Sequence, residues 1–468
     1  MPTLLNKREH EVGVLTRVWL FIRASYWFIP AIYGIIAIIL AFLSHQIDQY
    51  LWGNPQLLDS IPPLFLSDFD LAYTLLGTIA ASILTMTSIS FSSILVVMTT
   101  YVTQFSPRSL QNFITDPHTQ RILGVFISGF VYAIVLLLLT KQQAGITDVD
   151  VLISPVIAVL FAIISVGFFV FFVHHVAKWI QIRNLIESIY NDTIKVMDKF
   201  WENQKDVKPD DPWEDWEGEE ILDKPCTQVK SRKSGYVQWI DLDGLKKQAE
   251  EDETIVELLY SHGDYLAGGL VVMNVYGDKK QVSEGNYSKR VIIGTERESI
   301  QDIRYGIVKL VEISVRSLSP GVNDPFTAIE GIKHLGHMLS ALCKKAYLEN
   351  YVHDSKRNVR VLKKVYEFKD YLYQSYFQIR HYGSSDSAIL AAILDSLYEI
   401  STHGSDMIKK DVWSFTEYVI EGMEHHTFLD WDLSRLQEKL DRIAVISAPG
   451  RKDHVRLRQP KKGFDEHE

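Results

Sequence analysis

Seven hydroxyl side chains lie along one line of a long apolar segment, and they are the residues of this chain best placed to do chemistry. Residues 71–107 contain no charged side chain. At 100° per residue, the hydroxyls in this run fall within about 40° of one helical line. They are Thr74, Thr78, Thr85, Ser88, Ser92, Thr99 and Thr103. Such a stripe serves either close helix packing through hydrogen bonds or contact with water in a conduit.

The conduit interpretation requires several copies of the chain, because one helix cannot enclose a hole. It predicts a homo-oligomeric pore for ions or small solutes, with these seven residues lining it. Ile89 and Val96 lie about 60° and 40° from the centre of the stripe, so they are the candidate gate residues. The stripe carries no charge and leaves the sign of a permeant ion open. The alternative is a membrane-anchored sensor, signalling or scaffold protein without transport, in which the stripe only packs helices.

Four apolar segments are long enough to cross a membrane, whose hydrocarbon layer of about 30 Å takes roughly 20 helical residues. They cover residues 26–43, 71–99, 122–139 and 151–173. The first segment is too long, and begins too far into the chain, to be a cleavable signal. We therefore expect four membrane spans.

The positions of Lys and Arg orient these spans, because cytoplasmic loops carry an excess of both. Four such residues precede the first span, whereas residues 44–69 contain none. Arg108 and Arg121 follow the second span, and Lys178 and Arg183 follow the fourth. This asymmetry predicts that both termini lie in the cytoplasm.

Composition distinguishes the two halves of the chain. After about residue 195 no segment reaches membrane length, so the rest forms a cytoplasmic portion large enough for its own core. Its two cysteines, Cys226 and Cys343, fit a reducing compartment without disulfides. The net charge of −10 gives no indication of nucleic-acid binding, which leaves membrane lipids and further copies of the chain as the expected partners.

The predicted fold class is a mainly α membrane protein, with four transmembrane helices followed by a cytoplasmic α+β region. The predicted domains are a transmembrane domain with a helical extension at 1–195, an acidic linker at 196–225, a small β-rich module at 226–297, an α-helical domain at 298–446 and a basic, polar tail at 447–468.

Within these domains the residue periods predict individual elements. The helix of the fourth span is expected to continue through residues 174–190 into the cytosol. Strands are predicted at 234–241, 254–260, 270–276 and 291–294, with a short helix at 242–250. Helices are predicted at 301–318, 325–345, 356–381, 387–402, 410–423 and 433–445.

The cytoplasmic half offers few residues for catalysis. His334 and His337 lie one helical turn apart and are spaced to bind a metal with Asp324 or Glu330, but this spacing is more typical of packing residues. Charged residues between 297 and 316 are more typical of ion pairs than of a catalytic group. The chain contains no phosphate loop, nucleophile elbow or zinc-protease motif, so we expect neither an enzyme nor a cofactor. Histidines 174 and 175, at the end of span four, anchor the helix or respond to pH.

A break between two predicted helices has the sequence Ser319-Pro-Gly-Val-Asn-Asp-Pro325. Pro320 and Gly321 end one helix, and a positive φ at Gly321 would make that glycine hard to replace. Asn323 or Asp324 caps the next helix, which opens on Pro325. The motif is therefore interpreted as structural.

Several longer motifs resemble an uncharacterised bacterial family of predicted membrane proteins, domain of unknown function 2254. The resemblance covers roughly residues 17–442. It is carried by Ser106, Pro107 and Arg108, by Ser234-Gly-Tyr-Val-Gln238 with Ile240-Asp241, by Gly263-Asp264, by Gln301-Asp-Ile-Arg304 with Gly306, and above all by Leu318-Ser-Pro-Gly-Val-Asn-Asp-Pro-Phe-Thr-Ala328. The resemblance implies a bacterial inner-membrane location and a common architecture. It implies no activity.

Overall fold

The structure is a computed structural model that describes residues 27–58, 60–100, 116–141, 152–179, 181–202, 224–277, 283–297, 302–343, 350–354, 356, 358–423, 428–448 and 457. The chain forms two compact units, which divide between Gln181 and Ile182. Most of the predicted acidic linker and nearly all of the predicted basic tail lie outside the described residues.

The first unit is a membrane bundle. Its helices are α1 (Phe28–Trp52), the short α2 (Pro55–Leu58), α3 (Phe69–Thr100), α4 (Pro117–Lys141) and α5 (Ser154–Trp179), with one 3-10 turn at Pro63–Phe65. Four of them, α1, α3, α4 and α5, are long and apolar enough to cross a membrane, which confirms the four predicted spans. Helix α4 makes the most extensive contacts of the four, with α1, α3 and α5.

A buried polar cluster ties three spans together at one end of the bundle. Asp48 near the end of α1 is 1% exposed, and its Oδ1 accepts hydrogen bonds from the backbone N–H groups of Ile153 and Ser154, at 2.9 and 3.2 Å. The carboxylate therefore caps the first turn of α5. Tyr132 of α4 donates to the Oγ of Ser44 and to the carbonyl of Ser154. No local sequence pattern indicates that Asp48 belongs to the bundle.

The fourth span does not continue as one helix, so the expected continuous helix through residues 174–190 is wrong. Helix α5 ends at Trp179, and a separate helix α6 (Ile182–Glu202) belongs to the second unit. Helix α5 is apolar on all faces, whereas α6 is amphipathic, with its apolar residues on one face. Leu185, Ile186 and Ile189 are fully buried or nearly so, because this face packs against α9 (Ile303–Ser317) and α10 (Pro325–Cys343).

After α6 the second unit contains two small sheets and two short helices. The elements are β1 (Cys226–Lys230), β2 (Gly235–Ile240), α7 (Leu242–Asp252), β3 (Ile255–Leu258), β4 (Tyr265–Leu266), β5 (Val271–Tyr276), α8 (Glu284–Ser288), β6 (Val291–Gly294), β7 (Tyr351–His353) and β8 (Val359–Leu362). One sheet has the strand order β1-β5-β3-β8-β7, and the other has the order β4-β2-β6. The four predicted strands are all present, as β2, β3, β5 and β6.

Strand β8 overturns part of a predicted helix. Residues 356–381 were expected to be one helix, but Val359–Leu362 pairs in parallel with β3, and the helix begins only at Phe368. Val359 and Val361 are buried, whereas Arg360 and Leu362 are only partly buried, which is the alternation of a strand. The sheet therefore takes strands from both sides of the helical segment α9–α10.

Helices complete the second unit. They are α9 (Ile303–Ser317), α10 (Pro325–Cys343), α11 (Phe368–Tyr382), α12 (Ser387–His403), α13 (Asp406–Glu421) and α14 (Asp430–Ser447). Helix α10 packs against α9 and α12, and α12 packs against α14. Apart from the first part of residues 356–381, each predicted helix is present, with ends that differ by a few residues.

Candidate functional site

The hydroxyl stripe lies on the face of α3 that its own bundle leaves open. All six described members, Thr74, Thr78, Thr85, Ser88, Ser92 and Thr99, are exposed. The buried residues of α3 are Ala72, Leu76, Ile79, Ala80, Ile83, Ser90, Ile94 and Val97. At 100° per residue the centres of the two sets lie about 180° apart. Within the described part of the membrane unit, the stripe therefore does not pack α3 against its own neighbours.

Five of these hydroxyls are turned toward their own helix. Thr74, Thr78, Thr85, Ser88 and Thr99 each donate a hydrogen bond to the backbone carbonyl four residues earlier, over 2.8 to 2.9 Å. The proton of each hydroxyl is thus used within the helix. What each oxygen presents outward is lone-pair density, which accepts hydrogen bonds or contacts a cation.

The two candidate gate residues lie on the same open side of α3. The side chain of Ile89 is 50% exposed and that of Val96 is 63% exposed. Thr103, Ser106, Pro107 and Arg108 lie outside the described residues.

The break before α10 is a helix cap. The carboxylate of Asp324 accepts hydrogen bonds from the backbone N–H of Thr327 at 3.1 Å and from its hydroxyl at 2.6 Å. Pro325 is the first residue of α10. The left-handed conformation in this loop belongs to Asn323, with φ 49°, and not to Gly321. Ser319 ends the preceding helix through its hydroxyl, which donates to the carbonyl of Arg316, and Pro320 follows it.

We expect Asp324→Ala to lower the free energy of unfolding by about 0.5 to 2 kcal/mol, because it removes the cap of α10. Gly321→Val is the matched control in the same loop. A Cβ at Gly321 meets no atom within 4 Å and its φ lies outside the left-handed region, so this change should have a much smaller effect. Thermal unfolding of the purified full chain measures both. Intact stability of Asp324→Ala together with lost transport would instead assign the loop a direct functional role.

The histidines of α10 make packing contacts. His334 Nδ1 lies 2.9 Å from the carbonyl of Glu330, and His337 Nε2 lies 3.3 Å from a carboxylate oxygen of Glu399 on α12. Both rings also contact Tyr190 of α6. Among the described residues, no three His, Cys, Asp or Glu side chains are grouped to hold a metal ion.

Of the two histidines at the end of span four, His175 makes a hydrogen bond to a carboxylate. Its Nε2 donates to Asp116 over 2.8 Å, while His174 is exposed. Burial raises the pKa of Asp116, but hydrogen bonds from His175 and Thr119 outweigh this and hold the pKa below its usual range. His118 and Phe171 contact the ring of His175.

Two of the sequence motifs meet at one partly buried carboxylate in the second unit, Asp264. Its side chain is 12% exposed and accepts hydrogen bonds from Arg304 at 3.2 Å, from Lys364 at 3.3 Å and from the hydroxyl of Tyr366. The guanidinium of Arg304 also lies 3.8 Å from the centre of the Tyr366 ring. We call Asp264, Arg304, Lys364 and Tyr366 the Asp264 cluster.

The Asp264 cluster joins the β region to the first helix of the helical region. Asp302, which caps α9, pairs with Arg297, and its carboxylate accepts from the N–H of Tyr305 at 3.0 Å. Gly263 has φ 79°, and a Cβ on it would lie 1.8 Å from a carboxylate oxygen of Asp302. The Gly263-Asp264 motif is therefore fixed by the close approach of this ion pair. The ion pairing expected within residues 297–316 is confirmed for Arg297 and Asp302, whereas Arg304 pairs with Asp264 outside that range.

Sequence reasoning missed Lys364 and Tyr366. Both lie in the segment that was predicted as helix, and both are about 100 residues from Asp264 along the chain. The sequence signal that indicates a strand is the apolar alternation of Val359 and Val361. This strand, β8, ends two residues before Lys364.

Comparisons with known proteins agree with this architecture. A family model described as predicted membrane protein, domain of unknown function 2254, matches residues 23–399. The uncharacterized protein Rv1290c of Mycobacterium tuberculosis and the uncharacterized protein Mb1321c of Mycobacterium bovis are each 28% identical over 338 residues. The matched region is 70% of this chain but only 63% of the length of these relatives. No solved structure matches the chain.

Proposed function

Because the chain belongs to the family of predicted membrane proteins whose model spans residues 23–399, we propose that it is a channel-like protein of the bacterial inner membrane. In this proposal several copies assemble so that each contributes the hydroxyl face of α3 to one pore. The pore passes ions or small solutes. The protein is not an enzyme and needs no cofactor, and both termini lie in the cytoplasm.

The observation that supports a pore is the placement of the stripe. Six hydroxyls run from Thr74 to Thr99, a rise of about 37 Å along the helix, which exceeds the hydrocarbon thickness. They lie opposite the packed face of α3 and are exposed in a single chain. A polar face of membrane length that its own bundle leaves uncovered is suited to water between copies of the chain.

The hydrogen bonds of the stripe favour cations as permeants. Since five hydroxyl protons are directed to backbone carbonyls, the pore surface would present oxygen lone pairs without fixed charge. Lone-pair oxygens replace part of the hydration shell of a cation, as carbonyl oxygens do in selective channels. An anion would need outward donors, which these five hydroxyls do not provide.

Cysteine accessibility tests whether the stripe faces water. In a background with Cys226→Ser and Cys343→Ala, Ser92→Cys and Thr85→Cys are labelled in membranes with a charged, membrane-impermeant thiosulfonate. We expect both to react at least about tenfold faster than a lipid-facing thiol, because the reactive thiolate forms only in water.

Two positions calibrate this experiment. Ile163→Cys on α5 is a lipid-side reference, since Ile163 is 64% exposed in the membrane unit and lies outside α3. Ser60→Cys in the loop between α1 and α3 gives the rate of an exposed thiol, and its labelling from outside the cell tests the proposed orientation. If Ser92→Cys reacts as slowly as Ile163→Cys, the stripe faces lipid or protein, and the sensor or scaffold function replaces the pore.

A further inference from the structure

A groove between α4 and α5 opens on the surface of the membrane unit, and no residue of α3 lines it. It has a volume of about 600 Å³. Its lining residues are His118, Arg121, Ile122, Ile164, Gly167, Phe168 and Phe171. The groove is thus apolar along most of its length and cationic or polar at one end only.

The polar end lies where α4 begins. Arg121 is exposed, and no ion pair among the described residues includes it. The nearby carboxylate of Asp116 is 7% exposed and is directed inward, since it accepts from His175 and from the backbone and hydroxyl of Thr119. Among the described residues, the charged group at the mouth of the groove is therefore the guanidinium of Arg121.

The apolar end is a gap on the surface of α5. A Cβ added to Gly167 would meet no atom within 4 Å, and Ile164 and Phe171 on either side are 41% and 46% exposed. A gap on the face of a membrane span borders lipid, where an acyl chain is the available apolar occupant. The glycine thus leaves room for a chain at the position where a larger side chain would fill the groove.

We propose that this groove binds one acidic phospholipid, with an acyl chain against Gly167 and Phe168 and the phosphate at Arg121. Charge and shape both support this occupant. A guanidinium binds phosphate through paired hydrogen bonds, and basic pockets between spans are suited to anionic headgroups. The proposal rests on α4 and α5 and does not depend on whether α3 lines a pore.

Native mass spectrometry of the purified full chain tests this, with dioleoyl phosphatidylglycerol as the acidic probe and dioleoyl phosphatidylethanolamine as the matched neutral one. We expect one phosphatidylglycerol per chain, bound in preference to phosphatidylethanolamine. Gly167→Leu should weaken binding of both lipids, by about tenfold or more for phosphatidylglycerol, because the added side chain occupies the space of the acyl chain. Arg121→Gln should remove the preference for phosphatidylglycerol, so that both lipids bind equally and as weakly as phosphatidylethanolamine binds the parent.

Val166→Leu is the control, because Val166 is 50% exposed on the opposite side of α5 and its enlargement leaves the groove unchanged. Gly167→Leu is expected to fold normally, since it meets no neighbour and removes a helical glycine. Its thermal unfolding checks this. The proposal is overturned if the parent shows no preference for phosphatidylglycerol, or if Gly167→Leu binds it as the parent does. It is also overturned if Gly167→Leu dissociates the oligomer without changing lipid binding, because the groove then holds a second copy of the chain.

Discussion

Val96→Ser is expected to raise passive cation flux by about tenfold or more, because a ring of apolar side chains closes a pore by expelling water and a hydroxyl admits it. Val96 is 63% exposed on the open side of α3, about 40° from the centre of the stripe. Thr85→Leu and Ser88→Leu should have the opposite effect, since they extend the dry zone along the same face. Potassium flux from proteoliposomes with matched amounts of assembled protein measures all three.

A valine outside the stripe gives the control for this experiment. Val170 on α5 is 65% exposed, so Val170→Ser makes the same chemical change on a face of the membrane unit outside α3. Its flux should equal that of the parent. If the three α3 variants also equal the parent under every tested voltage, tension and pH, the hydroxyls do not line a conducting path. A chloride gradient in place of the potassium gradient tests the cation preference separately.

The membrane unit was predictable because its signals are local. An apolar run and its flanking charges lie within one segment of sequence, and hydroxyls at helical spacing identify one face of the helix. The sequence could not say whether that face was packed or open, because this depends on which side of α3 contacts α4 and α5. Only the structure places Leu76 and Ile83 inward and Thr85 and Ser92 outward.

The polar contacts of the membrane unit were not predictable for the same reason. Asp48 lies beyond the predicted end of the first span, yet it caps α5 through Ile153 and Ser154, about 100 residues away. A carboxylate at the end of an apolar run is typical of a loop. Its use as a cap on another helix becomes visible only when the spans are packed.

The second unit shows where local patterns mislead. Residues 356–367 were predicted as part of a helix because the residue period around them is helical, and β8 contains only four residues. In the structure it pairs with β3, a strand from the other side of α9 and α10. Short strands are stabilised by their partners more than by their own propensity, so their assignment needs the tertiary structure.

The Asp264 cluster takes Lys364 and Tyr366 from the segment that was wrongly predicted as helix. Of the substitutions considered, removal of the Asp264 carboxylate should lower the free energy of unfolding most. Asp264→Ala leaves Arg304, Lys364 and Tyr366 without their shared acceptor in a partly buried site. We expect the free energy of unfolding to fall by about 1 to 3 kcal/mol, since partly buried donors lose their acceptor while solvent screens the exposed charge of Lys364. Thermal unfolding of the purified full chain, followed by circular dichroism, measures this loss.

An exposed ion pair provides the comparison. Glu438 pairs with Arg435 at the surface of α14, where the two side chains are 63% and 72% exposed. Glu438→Ala should cost less than about 0.5 kcal/mol, because solvent screens such pairs. Equal losses for Asp264→Ala and Glu438→Ala would show that the cluster adds no more stability than a surface contact.

The pH dependence of the Asp264 cluster gives an independent check. Burial raises the pKa of Asp264, but hydrogen bonds from Tyr366 and Ser261 and the charges of Lys364 and Arg304 outweigh it, so the pKa lies below that of an ordinary aspartate. A carboxyl group with a lowered pKa stabilises the folded state above the unfolded pKa of about 4, and this contribution is lost as the pH falls through the folded value. The stability difference between the parent and Asp264→Asn should therefore be constant near neutral pH and shrink below about pH 4. A difference that stays the same down to acidic pH would mean that the ionised carboxylate of Asp264 is not what holds Arg304 and Lys364 in place.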